Sequence, residues 1–385
     1  MFSGKSLAKV LCIFSAAAAL ELLGFMPQSK VAAQSTGDVY VLSNQDDGNA
    51  VIVFHRSADG ILTPAGRFST GGRGTGEGPD PLGSQGAVML SNDNRMLFTV
   101  NAGSNSITAF SVSGDELTRL QTIPSNGDRP VSLSISQNLL YVLNAGESPN
   151  ISGFHIEPGP NPLVPIEGST QPLPGADAAR PAELSFSPDG SVILVTEKGM
   201  NQIVTFTVSD SGRAHFANTA PSSQGTPFGL AWAHESVVVL AYAADGAPGQ
   251  GGGGTYRAAD SGTVTPITAD VQDGQTASSW TAVTRNGQNA FISNTVSGTI
   301  SAFAVSQESG SLTLTRAAAA TLVGGEQSAS LFPSDLALSN DSSYLYVRDG
   351  RDGTVSGFRV HEDGSLTPIT RASGLPSSAA GVAAR

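Results

Sequence analysis

The chain has 385 residues, 45 of them glycine and 22 proline, and carries a formal net charge of −12 with only 14% charged side chains. An acidic chain without a basic cluster is a poor nucleic-acid binder, and anionic membranes and polyphosphates repel it at long range. A single cysteine, Cys12, excludes a disulfide framework.

In chain order, the first segment reads as a secretory signal. Lys5 and Lys9 make a basic start, residues 10–25 are mostly apolar with Glu21 interrupting, and Ala32 and Ala33 supply the small side chains of a cleavage site. The apolar run is short for a membrane-spanning helix. The expected division is a signal peptide over 1–33 and a mature chain over 34–385, secreted or periplasmic and free of the membrane after cleavage. Cleavage takes the charge to about −14, because Lys5, Lys9 and Lys30 leave with Glu21. It also removes the cysteine, so packing and sheet closure must hold the fold.

The next run, VYVLSN at 39–44, is the first of seven. It returns as MLFTVN (96–101), LLYVLN (139–144), VILVTE (192–197), VVVLAY (237–242), NAFISN (289–294) and YLYVRD (344–349), at spacings of 43 to 57 residues. A repeat of that period signals a propeller or solenoid. Most copies are followed by a second run such as SITAFSV (106–112) or TVSGFRV (354–360), alternating as strands with two unlike faces do. A third run, such as GILTP (60–64) or GSLTP (364–368), carries a proline that cannot donate to a ladder, which marks an edge strand. A fourth run, such as RPVSLSIS (129–136) or FPSDLALSND (332–341), precedes the next repeat and suits a crowded inner strand. Four antiparallel strands repeated radially predict an all-β fold, a seven-bladed β-propeller. Length alone would suggest two or three domains, but seven units around one axis make residues 34–385 a single domain. The tail AAGVAAR (379–385) resembles a fourth run, and is expected to pair with the first repeat and close the ring. Two glycine-rich stretches interrupt the pattern. GGRGTGEGPDPLG (71–83) opens no helix, so it reads as a mobile loop over one propeller face rather than a phosphate loop. APGQGGGGTYRAA (247–259) replaces the second run of the fifth repeat and reads as a flexible loop.

Candidate functional residues are those that break the repeat. Asn44, Asn101, Asn144 and Asn294 end their runs and suit a turn cap, whereas Glu197, Tyr242 and Asp349 stand at that position elsewhere. Asp349 can cap as Asn does; Glu197 is either drift at a turn or a site residue. One inner-strand position reads Gly86, Ser132, Glu183, Gly229, Thr281, Asp335 and Gly381. If it faces the axis, Glu183 and Asp335 form an acid/base pair or a cation site, or lie unused in a water-filled channel. Arg129 and Arg180 each precede the proline of an inner strand, where a guanidinium can hold a carboxylate in two parallel hydrogen bonds or pair with a surface neighbour. Trp280 is either a stacking wall for a sugar or lactone ring or core between blades. None of the histidines, His55, His155, His215, His234 and His361, falls beside a serine and aspartate to suggest a hydrolase triad. No loop or His cluster suggests a dedicated metal site, and no cofactor is expected.

The succession Y-V-x-N, x-I-x-x-F-x-V, G-x-L-T-P and P-x-x-L-x-x-S-x-D-G, with the tail LPSSAAGVAAR, resembles the seven-bladed lactonase propellers, the 6-phosphogluconolactonase and carboxymuconate-cyclase group. The resemblance runs from 39 to 385. Enzymes of that group carry G-x-R-H at the start of the fourth inner strand and N-E on the next strand. The corresponding segments are ARPAEL (179–184) and VTEKGMN (195–201), which put Arg180 and Glu197 on the family's Arg and Glu. Pro181 stands where the family has His, and SNT (293–295) where it has S-N-R. What the resemblance implies is hydrolysis or isomerisation of a small sugar or muconate-type lactone. Arg180 would hold the substrate, Glu197 or Glu183 would direct water, and Arg129, Asp335 and Trp280 would make further substrate contacts. The expected partner is a small lactone or sugar acid, bound by a monomer. The other reading is a non-catalytic propeller acting as a binding or scaffold module through its loop face.

Overall fold

The computed structural model describes residues 36–76, 78–322 and 331–385. The expected signal segment, 1–33, lies outside the described residues. Among these, no helix is long and apolar enough to cross a membrane. The strands form seven antiparallel sheets, six of four strands and one carrying a short fifth. From inside outwards, blade 1 is Ala380–Ala384, Gly37–Leu42, Ala50–Arg56 and Leu62–Ser69. Blades 2 to 7 begin on the inner strands Val88–Leu90, Pro130–Ser136, Pro181–Phe186, Pro227–His234, Ser278–Val283 and Pro333–Leu338.

Local sequence explains the radial order. The second strand of a blade is sandwiched between neighbouring blades on both faces. Five of these strands, including Val192–Glu197 and Tyr344–Asp349, are buried at every residue, so they read as continuous rather than alternating apolar runs. Each buried Val, Leu, Ile or Phe side chain contributes about 1.5–3 kcal/mol. Outer strands are mostly exposed or half-buried, as Leu62–Ser69 is, and the prolines of the third runs lie on them. Pro64, Pro266 and Pro368 each sit beside a β-bulge, where the ladder loses a bond anyway.

The C-terminal strand closes the ring as the tail suggested. Val39 pairs with Ala384, Tyr40 with Ala383 and Val41 with Val382. Arg385 donates its N–H to the carbonyl of Asp38 (3.0 Å) and its Nε to the buried carboxylate of the same residue (2.9 Å).

The glycine-rich stretch of the fifth repeat differs from expectation. Gly252–Ala258 is the buried third strand of blade 5 and pairs on both edges. Its glycines make room for a neighbour. Tyr242, the residue that breaks the Asn pattern, shares a hydrogen bond of 2.6 Å with Tyr256, and a Cβ on Gly254 would stand 2.6 Å from the Tyr242 hydroxyl. The large side chain on one strand thus requires small ones on the next.

Closure yields a direct expectation. Deleting residues 380–385 removes the inner strand of blade 1 together with the Arg385–Asp38 pair. Thermal unfolding followed by circular dichroism should lose its cooperative transition or shift down by more than about 10 °C; an unchanged melt would mean that the joint is dispensable.

Candidate functional site

The repeat-breaking inner-strand position lies at a structural irregularity. In blades 1 and 3 to 7 the ladder between inner and second strands slips there. A bulge leaves one residue unpaired and re-aims it. Gly86, Asp335 and Gly381 take left-handed backbone at this point. Antiparallel order puts two sets of loops at one end of the ring: those entering the inner strands and those joining second to third strands. Their contacts recur: the N–H just past the second strand meets the carbonyl just before the inner one, as in Ala145 to Arg129 (2.9 Å) and Lys198 to Arg180 (3.3 Å).

The axis is filled rather than open. Residues 84–86, leading into the short inner strand of blade 2, are bonded to three other blades. Trp280 donates its indole N–H to the Ser84 carbonyl (2.8 Å). The Gln85 amide spans to blade 6, donating to the Thr281 carbonyl (2.8 Å) and accepting from its N–H (2.9 Å). Its backbone N–H meets Ala182 of blade 4, and the Gly86 carbonyl accepts from Leu133 of blade 3. Trp280 is 2% exposed and packs against Phe228 of blade 5 at 4.7 Å between ring centres. It is therefore core at the axis, with no face presented to solvent.

The acidic candidates are buried. Glu183 accepts a hydrogen bond from the Leu230 N–H of blade 5 (2.7 Å), and burial, with Asp335 adding, pushes its carboxyl well up. Asp335 accepts from the Leu336 N–H (2.8 Å); burial pushes it up to about 7, against the pull of that bond and of Arg348. One oxygen of Asp335 has no hydrogen-bond partner. Both carboxyls lie in packed structure, not in a water-filled channel. Glu197 is fully buried at the end of its strand. It accepts from the Gln202 amide (2.5 Å), and Gly175 crowds it so closely that a Cβ there would stand 2.8 Å from Oε2. Burial raises its pKa too, against the Gln202 bond. At the equivalent place Asn101 bonds Ser106 and Thr108, and Asn294 bonds Thr299 and Ser301. Glu197 thus ties its own hairpin as those asparagines do. Asp349 caps, accepting the N–H groups of Arg351 and Asp352.

The cations gather. Arg129 and Arg180 both hold left-handed backbone, φ 54° and 45°, before their prolines, a strain of roughly 1–3 kcal/mol each. Arg180 is exposed and Arg129 half-buried. Lys198, directly after Glu197, lies over the Phe228 ring at 4.6 Å and donates to the Gly83 carbonyl. Burial lowers its pKa to about 8; Asp80 opposes that, while Arg180 and Arg129 push further down. Arg129 also donates to the Pro81 carbonyl (2.9 Å) and Arg348 to the Pro79 carbonyl (2.9 Å). The loop over this face is thus pinned at three points. Beside it a cleft of about 380 Å³ opens between Asp46, Arg73, Thr75, Gly103 and Arg129. The structure brings together Arg129, Arg180 and Lys198. It places Glu183 and Asp335 beneath them at the axis, and Glu197 within its own hairpin.

Lys198, Arg348, Asp80 and Gln85 escaped the sequence reading, although signals existed. Lys198 is the only lysine beyond residue 30. Its repeat position otherwise reads Gln45, Ala102, Ala145, Ala243, Thr295 and Gly350, and Arg348 stands where the others have Ser43, Val100, Leu143, Thr196, Ala241 and Ser293.

A family model described as a seven-bladed β-propeller lactonase matches residues 36–171 and 252–382. The matched segments leave out Arg180, Glu183, Glu197 and Lys198. Among solved structures, a Lactobacillus plantarum protein shares 16% identity at a TM-score of 0.70, over 91% of this chain and 99% of its own. A Bacteroides fragilis protein provisionally described as a 6-phosphogluconolactonase shares 18% at 0.66, over 92% and 99%. A periplasmic gluconolactonase of Pseudomonas aeruginosa shares 16% at 0.65, over 90% and 99%. Likeness at such identities shows the fold alone. No curated protein matches the chain.

The axial carboxyl has a measurable signature. Asp335 takes up a proton on folding between its ordinary value, 3.8, and about 7. Its contribution to stability is therefore full below 3.8 and lost as pH rises through 7. Asp335→Asn should flatten the urea-unfolding stability profile between pH 4 and 7, and a parallel profile would show that the group does not titrate there.

Proposed function

The chain belongs to the seven-bladed β-propeller lactonase family, and on that premise we propose that its loop face binds a small carboxylate-bearing lactone or sugar acid and opens the lactone ring with water. The observation that carries this reading is the convergence of Arg129, Arg180 and Lys198 beside a 380 Å³ cleft, on a chain whose net charge is −12. Like charges repel, so negative charge added among them is favourable. Arg129 and Arg180 present planar donors suited to a carboxylate and to a polarised carbonyl. Lys198 is the group among them whose proton affinity, about 8, lies near neutrality, which suits a general base. In the step, the water oxygen bonds to the carbonyl carbon and its proton passes to Lys198 Nζ. The ring C–O bond then breaks and the alkoxide takes the proton from Lys198, leaving a hydroxy acid. Glu183 and Glu197, whose carboxylates are buried, serve the scaffold in this reading. Secretion is part of it, supported by the apolar run at 10–25 and the small residues before 34.

A second reading has its own observation. The family's Glu position is sealed inside a hairpin and bonded to Gln202, which favours a propeller that holds a sugar acid without turning it over.

Proton release from a panel of sugar lactones and muconolactones separates them. The hydrolase reading expects kcat/KM to rise with pH through about 8, since the neutral amine is the active form, and Lys198→Met to abolish that limb. Arg129→Gln should raise KM by roughly ten-fold or more. Binding of D-gluconate by calorimetry without turnover would select the second reading, and no binding at all would sink both.

A further inference from the structure

We propose that Asp80 is a positioning residue of this site: the loop at 79–83 carries its carboxylate to the axial end as an internal counter-ion for Lys198 of blade 4 and Arg348 of blade 7. The inference rests on the reading of Lys198 as the base and concerns what holds that amine and stabilises its charge.

The loop belongs to no strand, yet its course is fixed. Leu82 is 7% exposed and part of the main core cluster. Ser84 and Gln85, next in the chain, are tied across the axis to Trp280 and Thr281. At the other end, a Cβ on Gly350 of blade 7 would overlap the Pro79 carbonyl. Between these ends Asp80 accepts the Gly83 N–H (3.0 Å) and closes a turn. Gly83 holds left-handed backbone, φ 59°, and a Cβ there would stand 3.1 Å from Lys198 Nζ. Gly83 thus takes the Asp80 carboxylate on its N–H and the Lys198 ammonium on its carbonyl. Arg348 reaches the same loop at the carbonyl of Pro79, directly before Asp80 (2.9 Å).

The turn alone does not call for a charge, because Asn or Ser would accept the same N–H. What a carboxylate adds is electrostatic. Among the described residues, the charges acting on Lys198 are Asp80, which favours the ammonium, and Arg180 and Arg129, which oppose it. Burial pushes the Asp80 carboxyl up, while Lys198, Arg348 and the Gly83 N–H pull it down. Arg348 in turn faces Asp80, Asp335 and Asp349. Asp80 is therefore the group that the two cations share. During ring opening Lys198 becomes an ammonium when it takes the proton of water, and an amine again when the alkoxide takes that proton. A fixed carboxylate beside it stabilises the transient charge and keeps the amine a stronger base than burial and two arginines would leave it.

The test is a titration of the Lys198 amine in the full chain by nuclear magnetic resonance. Lysine labelled with 13C at Cε gives four signals, from Lys5, Lys9, Lys30 and Lys198, and Lys198→Arg assigns the last. The Lys198 signal should titrate at about 8. Asp80→Asn, which keeps the acceptor of the turn and removes the charge, should move it down by about one pH unit, and Asp80→Glu should leave it in place. The rising limb of kcat/KM should move down with the amine in Asp80→Asn. An unmoved amine in Asp80→Asn, or one moved as far by Asp80→Glu, would overturn the inference and leave Lys198 its role. A moved amine on a chain that opens no lactone would support the counter-ion and remove the hydrolase reading. Should Asp80→Asn fail to fold, Asp80→Ser, short enough to accept the same N–H, carries the same comparison.

Discussion

Everything in this molecule depends on closing a ring of twisted sheets without a covalent tie. Each blade buries both faces of its second strand against neighbours, so no blade is stable alone and a gap would expose two apolar faces at once. The pairing of 380–384 with 37–42 fills the one place where chain order alone would leave an edge. Asp38, buried at that joint, is bonded by Arg385, whose carbonyl in turn accepts from Arg56. One oxygen of Asp38 is thus matched by Arg385, while Oδ1 makes no hydrogen bond and lies 3.4 Å from His55 Nδ1.

Closure decides the character of the axis. Six of the seven inner strands carry bulges, and the space between them is taken up by residues 84–86, Trp280 and Phe228. Gln85 and Trp280 satisfy the polar groups of a crowded centre from opposite sides of the ring. Carboxyls in such a place are expensive when ionised, which is why Glu183 and Asp335 hold protons more tightly than usual. Their place in the repeat suggested an acid/base pair, a cation site or unused carboxyls in a water-filled channel; the packing buries both, with Glu183 bonded to the inner strand of blade 5 and Asp335 bonded within its own strand.

Much of this architecture was legible because strand periodicity and edge prolines are local signals. The seven runs, the outer strands with Pro64 and Pro368, and the closing tail needed only pattern and spacing. Where the reading failed, long-range packing was responsible. Glycines at 252–254 look flexible in isolation, and only the Tyr242–Tyr256 pair explains them as a strand. The anchors of residues 79–83, Arg129, Lys198 and Arg348, come from other blades and so escape a local reading. The site was half legible. Arg129 and Arg180 stand out before their prolines, whereas Lys198 and Arg348 break the repeat at positions beside those compared. Glu197 stood out for its family position, yet its partner Gln202 lies within its own hairpin, a pairing that chain position alone does not show to be structural.

The choice of acceptors around the cations is the most telling chemical feature. Among the described residues, Lys198 bonds the Gly83 carbonyl and Arg129 the Pro81 carbonyl, and Asp80 is a counter-charge felt by Lys198. The consequence is visible in Lys198, held to a pKa of about 8 by burial and by its arginine neighbours. That depression marks a stability penalty: below about 8 the folded chain must keep a buried ammonium among like charges, and the penalty fades only as pH rises through that value towards the ordinary lysine range. An anion that arrived from outside would relieve that penalty, because negative charge beside a buried ammonium favours its charged form.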